Sequence, residues 1–395
     1  MTPAPMTDKE PDPALVFGAA SFLNDAGSDM IAPIWPTFLK NQLGLNLTQI
    51  GIVDGMALAV TALSKLAAGY ASDRLRKRKP FIVSGYLVSM LARLTFIFST
   101  TFWQILFLKA MDRLGKMRGP PRDAIVAAHS GEARRGKAFG ILRAMDSAGA
   151  VVGATISFVL FMYLGYFWTF ILAAIPGSMS VILVALLVRE RPGKSVFKGL
   201  SFRGLNRDLK IFLVASVTLA LATYSYSFLI LFCADFGYTE VQLPLLYILY
   251  AAVYAVSAYP FGSASDRFGR KTILVVAFVL LALTSLWAHL VVDWLTAIPL
   301  MVFFGLSAGA LDPVQTSFVS DLVEDERRAS IIGAFQMILG ITALPAGALL
   351  GWTWDNLGHL ATFQVSLVLA VVATVMLFAI GPRSTAAARE SVNNA

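Results

Sequence analysis

The stretch Gly69-Tyr-Ala-Ser-Asp73-Arg74 returns 193 residues later as Gly262-Ser-Ala-Ser-Asp266-Arg267. The same shift, without a gap, aligns Gly44 with Gly237, Pro120 with Pro313, Arg134-Arg135 with Arg327-Arg328, and Gly140 with Gly333. One offset that holds over so much of the chain is typical of an internal repeat. The sequence therefore predicts two similar halves in tandem.

The composition predicts that both halves lie in a membrane. Of the 395 residues, 57% are hydrophobic and 14% are charged, whereas soluble domains carry roughly 25% charged residues. The apolar residues form runs of the roughly 20 residues that a membrane-spanning helix needs, as in 211–233, 272–292 and 360–380. The single cysteine, Cys233, excludes an internal disulfide and a multi-thiolate metal site.

The predicted fold class is an all-α membrane protein with twelve transmembrane helices in two six-helix, pseudo-symmetric halves. The predicted helices are 14–39, 48–71, 80–98, 102–129, 136–163, 165–188, 210–234, 241–264, 271–290, 293–320, 328–353 and 359–382. The predicted domains are a tail at 1–13, a first bundle at 14–188, a basic linker at 189–209, a second bundle at 210–382 and a tail at 383–395.

The basic residues predict the orientation in the membrane. If the N-terminus is cytoplasmic, 23 of the 32 Lys and Arg residues fall in cytoplasmic segments or adjoining helix ends, and the outer loops hold only Lys40. This asymmetry follows the positive-inside rule, and predicts a multi-pass protein of a plasma or inner membrane with both termini cytoplasmic. The net charge of +8 is then explained by the topology in the membrane, and no nucleic-acid partner is required to account for it.

The repeated stretch resembles the best-known motif of the major facilitator superfamily, Gly-x-x-x-Asp-Arg-x-Gly-Arg-Lys. The second copy continues as Phe-Gly269-Arg270-Lys271, whereas the first has Arg76 where that family usually has glycine. The resemblance implies two halves that rock around a substrate held between them.

Residues 22–33, 112–124 and 139–150 are also similar to a prokaryotic branch with magnetosome-associated and siderophore-linked permeases, and that likeness alone suggests iron-related cargo. Ala154 follows Gly153 where drug–proton antiporters of the superfamily carry Gly-Pro, which disfavours that subclass.

Charged residues at the predicted cytoplasmic helix ends are candidates for a gate. Asp73 and Asp266 lie beside Arg74 and Arg267 in the two motif copies, where a carboxylate near a helix N-terminus gains from the helix dipole. The pairs Glu132 with Arg135 and Asp325 with Arg328 resemble the cytoplasmic charge network of the superfamily. Making and breaking such pairs would bias one open state against the other. The alternative is that all these charges are solvated and only set the topology.

The first helix carries a polar stripe that is unusual for a membrane span. Ser21, Asn24, Asp25, Ser28 and Asp29 follow the spacing of one helix face, and Asp25 lies roughly 16 Å into the helix at 1.5 Å per residue. A stripe at that depth must face protein or water. Asp25 or Asp29 could bind a proton or a cationic ligand, or could pair with a basic residue of the fourth or fifth helix. Both interpretations stay open at this point.

The fourth helix has the densest charge. One predicted face holds Lys109, Asp112, Arg113, Lys116 and Asp123, the opposite face holds Arg118 and Arg122, and Gly119-Pro120-Pro121 predicts a kink. The cationic excess on the first face predicts an anionic substrate held mainly by Arg113 and Lys116. The alternative is internal pairing, of Lys109 with Asp112 and of Arg113 with a carboxylate such as Asp25.

Other charges and polar groups divide unevenly between the halves. Arg93 in the third helix needs a partner, for which Asp54 is a candidate, and Arg143 and Asp146 in the fifth helix are spaced to pair with each other. The helices of the second half carry almost no charge beyond Asp312. They offer tyrosines and amides instead, namely Tyr224, Tyr226, Tyr247, Tyr250, Tyr254, Gln315 and Gln336.

Together these patterns predict secondary transport of a small molecule by alternating access, driven by a proton gradient. The alternatives are an uncoupled facilitator and, in another class, a membrane scaffold or sensor that moves no solute. The sequence carries no nucleotide-phosphate loop, zinc spacing or nucleophile motif, so we expect no enzyme activity, no cofactor and no metal. We expect a monomer whose partners are the lipid bilayer, the solute and protons.

Overall fold

A computed structural model describes residues 12–190, 206–323 and 328–381, except for the side chains of residues 131–135 and 329. Within these ranges the regular secondary structure is entirely helical. The chain makes twelve passes, labelled α1 to α12, as predicted. Nine helical segments of the described chain are long and apolar enough to cross a membrane, and one of them, Gly136–Leu187, holds two passes.

The first six passes occupy residues 13–187. Their bounds are Pro13–Asp29, Ala32–Ile34, Trp35–Thr37 and Phe38–Gln42 for α1, Leu47–Leu75 for α2, Lys79–Thr95 and Phe96–Phe98 for α3, Phe102–Leu114 and Gly115–Arg118 for the start of α4, and Gly119–Leu187 for the rest of α4 with α5 and α6. A straight helix of 69 residues would be roughly 100 Å long at 1.5 Å per residue, about three bilayer cores.

Contacts within Gly119–Leu187 locate two reversals of the chain. Arg122 lies 3.8 Å from Asp146, although 24 straight helical residues would separate them by roughly 36 Å. Gly153 packs against the backbone of Ala26, and the next residue of α1, Gly27, packs against the backbone around residue 173. The segment therefore turns back near residues 131–135 and again at Gly165, whose φ is +68°. We number the three passes α4, α5 and α6.

The last six passes repeat this order. Their bounds are Arg207–Ala222 and Tyr226–Ala234 for α7, Leu243–Phe268 for α8, Arg270–Trp287 and Ala288–Leu290 for α9, Trp294–Asp321 for α10, Arg328–Leu357 for α11 and His359–Phe378 for α12. The predicted boundaries hold within a few residues, but two helices are interrupted: α1 at residues 30–31 and α7 at residues 223–225. Most of the predicted linker (191–205), and the tails at 1–11 and 382–395, lie outside the described residues.

The backbone carries the same 193-residue repeat as the sequence. In the described chain, residues with a left-handed φ form three pairs at that shift: Gly44 (+64°) with Gly237 (+90°), Arg76 (+54°) with Gly269 (+93°), and Gly165 (+68°) with Gly358 (+89°). The breaks in α1 and α7 coincide at the same shift. Arg76 therefore has a positive φ like its glycine counterpart, at a steric cost of about 1–2 kcal/mol for a residue with a Cβ. The two turns are not identical, since ψ is 27° at Arg76 and 139° at Gly269.

Helix packing repeats as well. A Cβ on Gly69 would lie 3.6 Å from the Cβ of Pro120, and one on Gly262 would lie 4.0 Å from the Cβ of Pro313. Both pairs join the second helix of a half to its fourth. The glycine and proline landmarks of the repeat thus mark the same helix crossing in each half.

The outer surface of the bundle is apolar. Large hydrophobic side chains such as Leu186 (76% exposed), Val256 (75%) and Tyr259 (83%) point away from the protein. Contiguous apolar surface of this kind marks contact with lipid or another protein. Combined with the length of the helices, it makes the chain an integral, multi-pass membrane protein.

The two halves meet closely along α2 and α11. A Cβ on Gly51 would overlap the carbonyl oxygen of Gly347, and the reverse also holds. Gly351 packs equally closely against the backbone at Leu47. Small residues allow membrane helices to approach to backbone contact. Because twelve passes are an even number, the described chain, from residue 12 to residue 381, starts and ends on one face of the bundle. We call this face the terminal side, and these glycines lie toward the other, the distal side.

Candidate functional site

A buried ion pair joins α3 to α4. The Nε atom of Arg93 lies 2.8 Å from Oδ1 of Asp112, with both side chains at most 3% exposed, and Nη1 of Arg93 donates to the carbonyl oxygen of Asn24 at 3.0 Å. The helices can approach because a Cβ on Gly115 would overlap the side chain of Ser89, whose hydroxyl donates to the carbonyl oxygen of Asp112 at 2.7 Å. Asp54 was wrong as the candidate partner of Arg93, because its carboxylate accepts hydrogen bonds from Trp35 and from two serines of α7 instead.

Lys109 does not pair with Asp112, as the internal-pairing alternative required. Its ammonium lies 3.6 Å from the centroid of the Trp35 ring and 5.7 Å from that of Phe96. A desolvated ammonium over an aromatic face gains a cation–π attraction of about 2 kcal/mol. The break in α1 positions Trp35 for this contact, which explains how a lysine is kept in the bundle interior without a carboxylate.

Asp25 is surrounded by cations of α4, but not by the one suggested from the sequence. Lys116 and Arg118 each lie 3.9 Å from its Oδ1 atom, and Asn24 donates to the same oxygen at 2.8 Å. The Arg113–Asp25 pair was wrong, since Arg113 lies 3.4 Å from Asp112 instead.

Arg118, predicted on the opposite face of α4, packs against α3, where its guanidinium lies 4.6 Å from the centroid of the Tyr86 ring, and it also reaches Asp25. Pro120 and Pro121 cannot donate to the carbonyl oxygens of residues 116 and 117, and the preceding turn, Gly115–Arg118, is a 3₁₀ helix. A 3₁₀ turn holds 3.0 residues rather than 3.6, so side chains beyond it are rotated from their α-helical directions. The predicted kink is therefore present one turn earlier than the prolines themselves.

A second charged cluster joins α4 and α5. Arg122 lies 2.9 Å from Asp123 and 3.8 Å from Asp146, and donates to the hydroxyl of Ser21 at 2.5 Å. Arg143 lies 3.6 Å from Asp146, the pair expected from their spacing. Arg143 is nevertheless 72% exposed, whereas Asp146 is 20% exposed.

Two cations in the interior keep unused donors. Within the described ranges, the side chains of Arg113 and Lys116 make ion pairs but no hydrogen bond, and the buried Nε atom of Arg113 lacks a hydrogen-bond acceptor. Their only carboxylate neighbours there lie at 3.4 Å and 3.9 Å. The two side chains are 26% and 28% exposed. Arg93, Arg118 and Arg122, in contrast, donate to backbone or side-chain oxygens, although the Nη2 atom of Arg93 is also buried without an acceptor.

Aromatic and polar residues of the second half face this charged region. Tyr247 donates to Oδ1 of Asp29 at 2.7 Å, and Tyr226 donates to the carbonyl oxygen of Ala32 at 3.3 Å. Tyr254 donates to Asp312 at 2.9 Å. The polar stripe of α1 therefore faces protein, as its depth required: Asp29 meets the second half, whereas the side chain of Asp25 contacts α4 of its own half.

Asp54 links the two halves, a contact that the sequence analysis missed. Its carboxylate accepts hydrogen bonds from Nε1 of Trp35 at 3.1 Å and from the hydroxyls of Ser225 and Ser227 at 2.6 Å each. Ser225 is the last residue of the interruption of α7, and Ser227 lies in the first turn after it. The polar run at 223–227 inside an apolar helix was the available signal for this site.

Two further carboxylates, also missed, join the halves on the distal side. Asp355 of α11 accepts hydrogen bonds from the backbone amides of Leu47 and Thr48, at 3.0 and 2.8 Å, and so caps α2. Glu240 accepts from Asn41 at 2.7 Å and from Tyr166 at 2.5 Å. Neither stands in a recognisable motif, since each acts through a partner more than 70 residues away.

The candidate gate residues lie at the terminal side. Asp73 lies 3.7 Å from Arg78, and Arg74 donates to Tyr70 at 3.2 Å. In the second copy, Asp266 lies 4.0 Å from Arg270, and Arg267 is exposed. Each aspartate thus contacts a basic residue just beyond its own turn. Asp325 and the side chains of Glu132 and Arg135 lie outside the described residues, and Arg328 begins α11.

Two similar six-helix halves, enclosing charged and aromatic groups within a lipid-facing shell, define a polytopic helical membrane transporter. The model of the Major Facilitator Superfamily matches residues 17–233 and 211–394. An uncharacterised transporter of this type from Methanocaldococcus jannaschii is 34% identical over 375 residues, which are 92% of this chain and 93% of the relative. The multidrug resistance protein MdtH of Photorhabdus laumondii is 25% identical over 347 residues, or 84% of each chain.

Solved structures agree on the fold. The nucleoside transporter NupG superposes with a TM-score of 0.76 at 16% identity, over 94% of this chain and 98% of that chain. A bacterial homologue of the human lysosomal transporter Spinster, inward-facing and occupied, gives 0.75 at 16% identity, over 93% and 96%. This chain belongs to the major facilitator superfamily of transporters.

Proposed function

We propose that this protein is a secondary active transporter that moves a small anionic solute across the membrane by alternating access, coupled to protons. The observation that carries the proposal is the pair Arg113 and Lys116. Both cations lie in the membrane-embedded bundle, where a charge without a counter-charge costs at least about 2.5–3.5 kcal/mol. Each shares its carboxylate with a second cation, since Asp112 also pairs with Arg93 and Asp25 also pairs with Arg118, so each cluster carries one cation in excess. Neither Arg113 nor Lys116 makes a side-chain hydrogen bond within the described ranges. An anionic group of a solute would supply the missing acceptor, and the guanidinium fork of Arg113 suits a carboxylate or phosphate.

Alternating access is supported by the position of the hydrogen bonds that join the two halves. Asp355, Glu240 and Asp54 all make hydrogen bonds across the interface toward the distal side. On the proposal, these contacts close the distal side while the solute enters or leaves from the terminal side. The two bundles, 14–188 and 210–382, would rock about the site as units of a monomer. With the terminal side in the cytoplasm, this conformation is the inward-facing one.

Proton coupling is supported by Asp25 and Asp29. Asp25 lies next to Lys116, so that loss of its charge would free this cation for the solute. Asp29 holds the second half through Tyr247, so its protonation would alter a contact between the halves. The two carboxylates lie one helical turn apart on α1, between the solute cations and the moving interface.

Binding by purified protein tests the anionic solute. Carboxylates, organic phosphates and anionic ferric chelates are screened by thermal shift, since a ligand that binds only the folded state raises its stability by mass action. We expect Arg113→Gln and Lys116→Gln each to weaken binding of the best anion at least tenfold. Lys40→Gln, which removes an exposed cation at the distal end of α1, should bind as the wild type does. Wild-type affinity in Arg113→Gln would overturn the proposal.

Flux into proteoliposomes tests the coupling. A pH gradient should drive uphill accumulation of the anion in the wild type, whereas Asp29→Asn should allow only downhill exchange. Flux that ignores the gradient in the wild type would make the protein an uncoupled facilitator. Binding of the anion with no flux of any kind would make it a receptor-like protein that moves no solute.

A further inference from the structure

The wall of the second half that contacts α1 is a cluster of tyrosines. Tyr247, Tyr250 and Tyr254 follow one another on α8 at spacings of three and four residues, which places them on one helix face. The ring centroids of Tyr247 and Tyr250 lie 6.1 Å apart, and those of Tyr250 and Tyr254 lie 6.5 Å apart. Tyr226 of α7 joins them, 5.0 Å from Tyr247.

Three contacts place this tyrosine wall near the cations. Tyr247 donates to Asp29 of α1, and Tyr226 donates to the backbone just after it, at Ala32. Lys116 lies 3.9 Å from Asp25, one helical turn before Asp29 on α1. The cations of α4 and the tyrosine rings therefore contact neighbouring positions of the same polar stripe of α1.

The wall is built differently from a packed core. Tyr224, in the interruption of α7 just before Tyr226, is 1% exposed, and its hydroxyl is hydrogen-bonded to the hydroxyl of Ser285. The four wall tyrosines are instead half-buried. Three of them have their hydroxyls held by protein oxygens, which orients the rings, while the Tyr250 hydroxyl makes no hydrogen bond within the described ranges. Ordered, partly uncovered rings are what a stacking surface requires.

We propose that the transported anion is an aromatic carboxylate, whose acidic group binds Arg113 and Lys116 and whose ring packs on Tyr250 and its neighbours. This inference rests on the proposed function and adds the class of solute. Aromatic rings pair in offset or edge-to-face geometry at centroid separations of roughly 4.5–7 Å, the spacing that the wall already shows among its own members. A small inorganic anion would use only one of the two walls.

An aromatic cation is the main competitor, because tyrosine faces also attract cations. The carboxylates beside this wall are Asp29 and Asp312, and each accepts a hydrogen bond from a tyrosine of the wall, at 2.7 and 2.9 Å. The cations of α4 outnumber their carboxylates, because Asp112 is shared by Arg93 and Arg113, and Asp25 by Lys116 and Arg118. This excess of positive charge favours an anion.

Matched probes separate the possibilities. Phenylacetate, butyrate and phenethylamine are titrated into the purified wild type and variants, with affinity read from thermal shift and equilibrium dialysis. We expect phenylacetate to bind at least tenfold more tightly than butyrate, and phenethylamine to bind most weakly. Tyr250→Leu should remove the preference for phenylacetate and leave butyrate unchanged, whereas Tyr250→Phe should keep most of it. Tyr259→Leu, on the lipid-facing side of α8, should match the wild type.

The outcomes distinguish this inference from the proposed function. Equal affinity for phenylacetate and butyrate, or a preference that survives Tyr250→Leu, would overturn the aromatic class and leave anion transport standing. Tighter binding of phenethylamine, unaffected by Arg113→Gln, would overturn both. Failure of Tyr250→Leu to fold is recognised by its own unfolding midpoint, and the comparison of phenylacetate with butyrate in wild-type protein then decides.

Discussion

The hydrogen bonds of Asp54 predict how strongly one side chain holds the distal side closed. Asp54 on α2 accepts hydrogen bonds from Ser225 and Ser227 at 2.6 Å, and these are the only bonds of its carboxylate that cross between the halves in the described residues. The third, from Trp35, stays within the first half. Asp54→Asn keeps the shape of the side chain and removes its charge, so the variant isolates the cross-half bonds.

The expected loss follows from the strength of those bonds. A hydrogen bond to a charged group contributes about 1.5–3 kcal/mol, and a neutral one about 0.5–1.5 kcal/mol. Two charge-assisted bonds replaced by neutral ones therefore weaken the distal contact by about 2 kcal/mol or more. Since about 1.4 kcal/mol is a factor of ten in an equilibrium constant, the population open on the distal side should rise roughly 30-fold.

Spin labels on the distal side can measure this shift. Cysteines replace Gln42 and Thr239, in a background with Cys233→Ala; the neighbouring residues Asn41 and Glu240 are hydrogen-bonded at 2.7 Å. Pulsed electron paramagnetic resonance measures the distance between the two labels. It should give one short distance in the labelled protein with Asp54 intact, and an added long distance when Asp54→Asn is introduced.

Asp235 supplies the control for this experiment. Asp235→Asn removes an exposed carboxylate from a distal turn, and should leave the distances unchanged. An Asp54→Asn distribution identical to that of the parent would refute the reasoning, because it would mean that the serine bonds contribute nothing to closure.

Two further predictions concern the ion pair and the glycine contact. Arg93→Met should lower the stability of the detergent-solubilised protein by about 3–5 kcal/mol, because it leaves Asp112 buried without its closest partner, and adding Asp112→Leu should restore much of the loss; thermal unfolding measures both, and a double variant no better than the single one would contradict this explanation. Gly51→Val should separate α2 from α11 and give the long distance in the same spin-label assay, since any side chain there overlaps Gly347. Gly140→Ala, with no atom within 4 Å of the added carbon, is the control, and a wild-type distance in Gly51→Val would show that the helices can shift without opening.

The sequence alone determined the architecture of this protein. Hydrophobic runs, turn glycines and the placement of lysine and arginine are local properties, and each reports on its own helix or turn. The 193-residue shift accordingly predicted landmarks such as Gly44 and Gly237 that recur in the backbone with left-handed φ. Helical spacing in the sequence also located the polar stripe of α1. Such a charged face must point away from lipid, whatever the position of the helix in the bundle.

Only the tertiary structure decided which charges pair with which. Arg93 meets Asp112 because glycine brings α3 and α4 together, Lys109 meets Trp35 because α1 breaks, and Arg118 reaches Asp25 because a 3₁₀ turn rotates it. A helical wheel assumes a regular helix and contains no information on neighbouring helices, so it could not predict these three contacts. The partners of a buried charge depend on distances of a few ångströms between helices, and that separation is a property of packing rather than of any one segment.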